Sequence, residues 1–133
     1  MKRKPLRINF QVIPSREQRY PTVGDYWQDK DGVWQFRVSR MGNLFYEILV
    51  FVHELVEWAM CESVGIREQE ITDFDVLFEA ERTAGWHKKN EEPGDDVRAP
   101  YRVMHKAATR VERLAAKMFG VGWGLYSKAV DNS

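Results

Sequence analysis

Hydrophobic and polar positions alternate at the start of the chain. Leu6, Ile8, Phe10 and Val12 point one way and Arg7, Asn9 and Gln11 the other, the period of a half-buried strand. Pro14 to Gly24 is predicted as a connector, with Pro21 and Gly24 as breakers. Asp25–Gln28 and Val33–Ser39 follow, joined by Asp29-Lys30-Asp31-Gly32, and Trp34, Phe36 and Val38 alternate with Gln35 and Arg37. Two short alternating runs around an Asp-Gly turn predict a hairpin. The expectation is a small antiparallel sheet of about three strands.

Helical spacing begins after Asn43, a good N-cap. A first helix is predicted from Leu44 to about Val64, closed by Gly65. Ile48, Val52, Leu55, Val56 and Ala59 share one of its faces, with Leu49, Phe51 and Met60 beside them. A second helix is expected over about Asp73–Arg82, with Thr72 as cap and Asp75 in a capping-box role. Gly85 to Ala99 is charged and rich in Gly and Pro, a long loop. A third helix starts near Pro100 and continues to about Phe119, carrying an apolar arc of Val103, Ala107, Val111, Leu114 and Met118. Gly120, Gly122 and Gly124 are expected to end it. The pattern divides one domain, residues 1–133, into a β part (1–40), an α part (43–119) and a tail (120–133), an α+β fold.

Composition narrows the function classes. With Lys plus Arg and Asp plus Glu at 20 each, no net charge draws the chain to nucleic acid or to a membrane surface. The basic start, Met1 to Pro5, has no signal-type apolar core behind it. Cys61 is the one cysteine, so no disulfide framework exists and a cytoplasmic, reducing compartment is expected. The longest apolar stretch, Ile48–Met60, is interrupted by His53, Glu54 and Glu57, which argues against a membrane span.

Those three residues are the distinctive chemistry. The first helix is apolar nearly all round, the mark of a buried helix, yet it holds two carboxylates and an imidazole in one patch. Buried without a cation or a proton, such a patch costs several kcal/mol. Side chains at i and i+4 lie one turn apart on one side, so His53 and Glu57 have the spacing to hold one divalent ion, and Glu54 follows the first ligand as a general base does in HExxH helices. Here the run is His53-Glu54-Leu55-Val56-Glu57, with Glu in place of the second His. The alternative is a polar strip in which His53 and Glu57 form an ordinary pair and Glu54 meets solvent.

Several runs together resemble a family: Tyr20-Pro21-Thr22-Val23-Gly24-Asp25-Tyr26-Trp27, Arg37-Val38-Ser39, His53-Glu54-Leu55-Val56-Glu57, and Gly94-Asp95-Asp96 followed by Ala99-Pro100-Tyr101 and His105. They are similar to small uncharacterised proteins of phages and prophages, across most of the chain, and those resemble zincin-type metalloproteases through an HExxE or HExxH helix. The resemblance implies a zincin-like fold without implying a known activity.

A zinc site needs a third protein ligand. His105, with Glu112 two turns further on, is the expected one; Asp75 or Glu79 is next, and His87 is expected to be solvated. Two other classes compete. Glu54-x-x-Glu57 followed by Glu70-x-x-Asp73 has the spacing of the all-α, magnesium-dependent nucleotide pyrophosphohydrolases of the MazG type, though the strands of Leu6–Ser39 have no place there. A non-catalytic phage or prophage structural or binding module would use the aromatic load of Tyr20, Tyr26, Trp27, Trp34, Trp86 and Trp123, or the basic row Arg98, Arg102, Lys106, Arg110 and Arg113; core completion and a solvated face are the expected roles of these. Cys61 is expected to be inert packing. The expectation is therefore a metal-dependent hydrolase with zinc or another divalent metal on His53, Glu57 and His105, Glu54 as catalytic base, and a peptide or protein as substrate.

Overall fold

A computed structural model describes residues 3–133; Met1 and Lys2, the first of the basic start, lie outside the described residues. The described residues form an α+β fold with a three-stranded sheet and four α-helices: β1 (Ile8–Ile13), β2 (Gly24–Gln28), β3 (Trp34–Ser39), α1 (Leu44–Val64), α2 (Glu68–Thr83), α3 (Arg102–Met118) and α4 (Trp123–Asp131).

The β2–β3 hairpin forms as its pattern predicts. Asp29 Oδ1 accepts from the amides of Asp31 and Val33, and Gly32 takes the left-handed conformation (φ 81°) that closes the turn. The sheet is mixed, however, where an antiparallel one was expected: its order is β1-β3-β2, and β1 pairs with β3 in parallel, Phe10 opposite Phe36. After β1 the chain reverses once and starts β2 one position further along, leaving a slot that β3 fills in the direction of β1. Alternation along β1 says which residues share a face and carries no information on the partner's direction.

α1 keeps its predicted bounds because both ends carry local signals. The Asn43 side chain accepts from the amides of Phe45 and Tyr46, and Gly65 is left-handed (φ 79°) with the Ile66 amide bonding back to Cys61. α1 packs on the sheet through aromatic rings. Phe51 stacks on Phe10 at 4.1 Å and meets Phe36 edge-on at 5.5 Å, and Trp58 meets Trp34 and Phe36 at 5.4 and 5.9 Å. Phe36 and Val38 on the central strand are wholly buried, and burying side chains of this size contributes about 1.5–3 kcal/mol each.

The sidedness of the helices departs from the expectation. On α1 the buried residues are Glu47, Leu49, Val50, His53, Glu57 and Cys61, whereas Ile48, Val52 and Val56 are half-buried and Ala59 is exposed. On α3 the expected apolar arc is the outer one, with Val103 71% and Met118 77% exposed; His105, Ala108, Glu112 and Ala116 face inward. The small alanines let α3 come close to α1, and the two run antiparallel, Phe45 meeting Phe119 at one end and Glu57 meeting His105 toward the other.

Two helix limits also change. α2 begins at Glu68, earlier than expected, because Glu70 reaches back to the Arg67 amide at 2.9 Å; Thr72 lies inside the helix, and Asp75 is buried and plays no capping role. The tail is a fourth helix. Gly120 (φ 71°) stops α3 and Gly122 is the N-cap of α4, but Gly124 lies within α4. Among the described residues no helix is long and apolar enough to cross a membrane.

Candidate metal centre

His53 and Glu57 come from adjacent turns of α1 and His105 from the first turn of α3. Their side chains meet in a near-equilateral triangle. His53 Nε2 is 3.2 Å from Glu57 Oε2 and 3.1 Å from His105 Nδ1, and His105 Nδ1 is 3.2 Å from Glu57 Oε2. All three residues are buried. Four ligands at zinc distances around a tetrahedron are separated by about 3.3 Å, so the triangle has the size of one face of such a shell.

The outward nitrogens set the tautomers. His53 Nδ1 faces Glu112 Oε1 at 2.8 Å, and His105 Nε2 faces Glu92 Oε2 at 3.0 Å and Asp95 Oδ1 at 3.6 Å. A carboxylate accepts only, so in neutral imidazoles both protons sit on these outer nitrogens. His53 Nε2 and His105 Nδ1 are then left with lone pairs aimed at each other and at the Glu57 carboxylate. Three electron-rich atoms cannot stay this close without a positive centre among them, either a proton or a metal ion. Histidine held by a carboxylate on its far nitrogen is also the usual arrangement around a bound metal.

Protonation follows the same logic. Burial opposes the charged form of His53, but Glu112 and Glu57 outweigh it and hold the imidazole well above its ordinary range. For His105 burial again opposes, and Glu57 and Glu92 raise the ring to about 9. Glu57 is pushed up by burial and pulled further down by the two histidines. Glu54 goes the opposite way, held well above the ordinary carboxyl range by burial and by the Glu57 charge.

Glu54 is half-buried at the cleft wall and accepts no hydrogen bond among the described residues. It is placed by Gly24: a Cβ there would lie 2.6 Å from Glu54 Oε1. Gly94 does the same for His105, since a Cβ there would meet the imidazole at 2.3 Å. On the far side of Glu112, Tyr126 of α4 donates its hydroxyl to Oε2. The triangle opens on a cleft of about 770 Å³ whose wall also holds Tyr20, Asp75 and Tyr101. Both tyrosine hydroxyls donate to Asp75, at 3.0 Å from Tyr20, and burial pushes the Asp75 carboxyl up to about 7.

The structure thus brings His53, Glu57 and His105 together, with Glu54 at the rim. It separates the other candidates from them. Asp75 contributes no atom to the cluster, Glu79 is held by Arg82 at 2.8 Å, and His87, expected in solvent, is stacked on Phe78 at 3.8 Å and bonded to Glu81 and Glu91. Glu70 and Asp73 lie outside the cleft, one capping α2 and the other bonded to Gln69, so the four-carboxylate arrangement of a MazG-type enzyme does not form. Among the aromatics, Tyr26 and Trp34 are core residues, while Trp86 is exposed.

Glu92, Tyr126, Gly24 and Gly94 are the participants that sequence reasoning missed. The run Glu91-Glu92-Pro93-Gly94-Asp95 reads as a solvated turn, and only its fold against α3 turns Glu92 toward His105. Tyr126 carried a usable signal, as a buriable aromatic three residues after Trp123 and four before Val130, at helical spacing. No protein-family model, no curated protein and no solved structure matches the chain.

Proposed function

We propose that the protein is a zincin-like, metal-dependent hydrolase, allied to the phage and prophage proteins its sequence resembles, with one divalent ion held by His53, Glu57 and His105. The observation that carries the proposal is the convergence of two imidazole nitrogens and a carboxylate oxygen at 3.1–3.2 Å, each imidazole held from behind by a carboxylate. Two nitrogens and one oxygen suit zinc; magnesium and calcium favour an all-oxygen shell. Three protein ligands leave one position of a tetrahedral ion for water or substrate, the arrangement of catalytic rather than structural zinc.

The bound ion would polarise a carbonyl oxygen and lower the pKa of water. The chain supplies the rest. Glu54, its carboxyl held above the ordinary range by burial and the Glu57 charge and free of hydrogen bonds among the described residues, is the proton acceptor for a water attacking an amide or related bond, and then the proton donor to the leaving group. Glu112 and Glu92 fix the imidazole rotations, and Tyr126 fixes Glu112. The substrate class is peptide or protein.

Metal analysis of the purified protein after zinc loading tests the proposal. One equivalent of zinc is expected in the unmodified chain and in Glu54→Gln, and much less in His53→Ala and His105→Ala. Hydrolysis of a mixed peptide library is expected only with the unmodified, zinc-loaded protein. Zinc retained in both histidine variants would overturn the site.

A further inference from the structure

Carboxylates outnumber lysines and arginines on the wall of the cleft in front of the triangle. Among the described residues nine carboxyl side chains line it against four of lysine or arginine, with His53 and His105 beside them. Two of those four are already engaged: Arg19 is held by both oxygens of Asp25, at 2.8 and 2.9 Å, and Arg82 by Glu79 and by the carbonyls of Lys88, Lys89 and Glu91. Most of the carboxylates have an assignment as well, to the imidazoles or to these arginines.

Asp75 has none. It lies on α2, 9% exposed, on the wall of the cleft and outside the metal-type cluster. Its only side-chain partners among the described residues are two hydroxyls, Tyr20 to Oδ2 and Tyr101 to Oδ1. Each oxygen keeps a second lone pair. Two neutral donors on different segments, one before β2 and one just before α3, hold the carboxylate in a single orientation without neutralising it. A buried carboxylate without a cation is unfavourable in the free protein, and a cationic group brought by a ligand would relieve that cost.

We propose that the substrate carries a cationic group, a protonated amine or a guanidinium, and that Asp75, oriented by Tyr20 and Tyr101, receives it. This rests on the hydrolase reading of the same cleft. An anionic cleft attracts cations and rejects anions such as phosphates and acidic peptides. A cation hydrogen-bonded to a partly buried carboxylate binds about tenfold or more tighter than a neutral side chain in its place.

The probes are three acetyl-tetrapeptide amides, alanine throughout except for one arginine, leucine or glutamate, titrated into the zinc-loaded Glu54→Gln protein by calorimetry. Arginine is expected to bind at least about tenfold tighter than leucine, with glutamate weakest, and the preference is expected to shrink as salt is raised. Adding Asp75→Asn is expected to abolish the arginine preference while zinc stays at one equivalent; adding Asp75→Glu is expected to restore part of it. Equal binding of the three peptides, no binding by any of them, or a preference that survives in the Asp75→Asn protein would each overturn the proposal. Loss of zinc from the Glu54→Gln protein itself would instead count against the metal site. Should Asp75→Asn fail to fold, Tyr20→Phe, which frees Asp75 Oδ2, takes its place, and an arginine preference left unchanged by it would overturn the proposal.

Discussion

Glu112 grips His53 from behind: its Oε1 lies 2.8 Å from His53 Nδ1, both side chains are buried, and its Oε2 takes the hydroxyl of Tyr126. This link passes from α4 through α3 to α1, so a helix at the end of the chain bears on a residue 73 positions earlier. Without Glu112, Nδ1 of His53 loses its side-chain partner, and only Glu57 and His105, both on Nε2, remain to orient the ring.

Glu112→Gln is therefore expected to weaken zinc binding by about 10–100-fold while leaving all three ligands in place. Tyr126→Phe is expected to do the same to a smaller degree. Competition with a chromophoric chelator measures both, and an unchanged affinity in Glu112→Gln would show that the contact is packing alone.

The two glycines predict opposite phenotypes. Gly94→Ala places a methyl group where the His105 ring now stands, and is expected to lower zinc binding and stability together. Gly24→Ala meets the flexible end of Glu54 instead, so zinc is expected to stay bound while hydrolysis falls. Zinc analysis beside a peptidase assay separates the two.

Acidity acts on the site with a definite sign. In the metal-free protein the pKa of His105 is raised to about 9 from an ordinary 6.5. The stabilisation this provides is complete below about pH 6.5 and is lost as pH rises through about 9. Thermal melts of the metal-free protein are expected to fall by several degrees across that window. Zinc must displace these protons, so its affinity is expected to rise over the same window and the melts of the zinc-loaded protein to stay flatter. A metal-free melting temperature that climbs from pH 6.5 to 9 would contradict the assignment.

Cys61 is 2% exposed on α1, and burial, with Glu57 nearby, pushes its thiol up to about 12. Labelling by a thiol reagent at neutral pH is expected to be slow and limited by unfolding, because neither thiolate nor access is available in the native state. Rapid labelling of the folded protein would mean that the interior face of α1 opens readily.

Phe36 lies wholly buried under Phe51 and Trp58 at the centre of the sheet. Phe36→Ala is expected to cost about 3–5 kcal/mol in denaturant unfolding. A loss below about 1 kcal/mol would show that this layer does not hold α1 in place.

What the amino-acid sequence determined by itself is local. Asn43 and Gly65 set the ends of α1, Asp29 to Gly32 set the hairpin turn, and the i,i+4 spacing placed His53 over Glu57, because each depends on groups a few residues apart. Tertiary structure decided the rest. α1 is apolar nearly all round, so periodicity could not choose its inner side, and the choice fell to the close approach that Ala108 and Ala116 allow. The direction of β1 depended on which slot β2 left open. The conversion of His105, Glu112, Glu92 and Tyr126 from scattered polar residues into one hydrogen-bonded site came from the antiparallel packing of α1 and α3, with the loop and α4 closed around them. Contacts across 50 or so residues of chain leave no periodic trace in sequence, since nothing local couples them; they exist only once burial removes the water that would otherwise satisfy these groups.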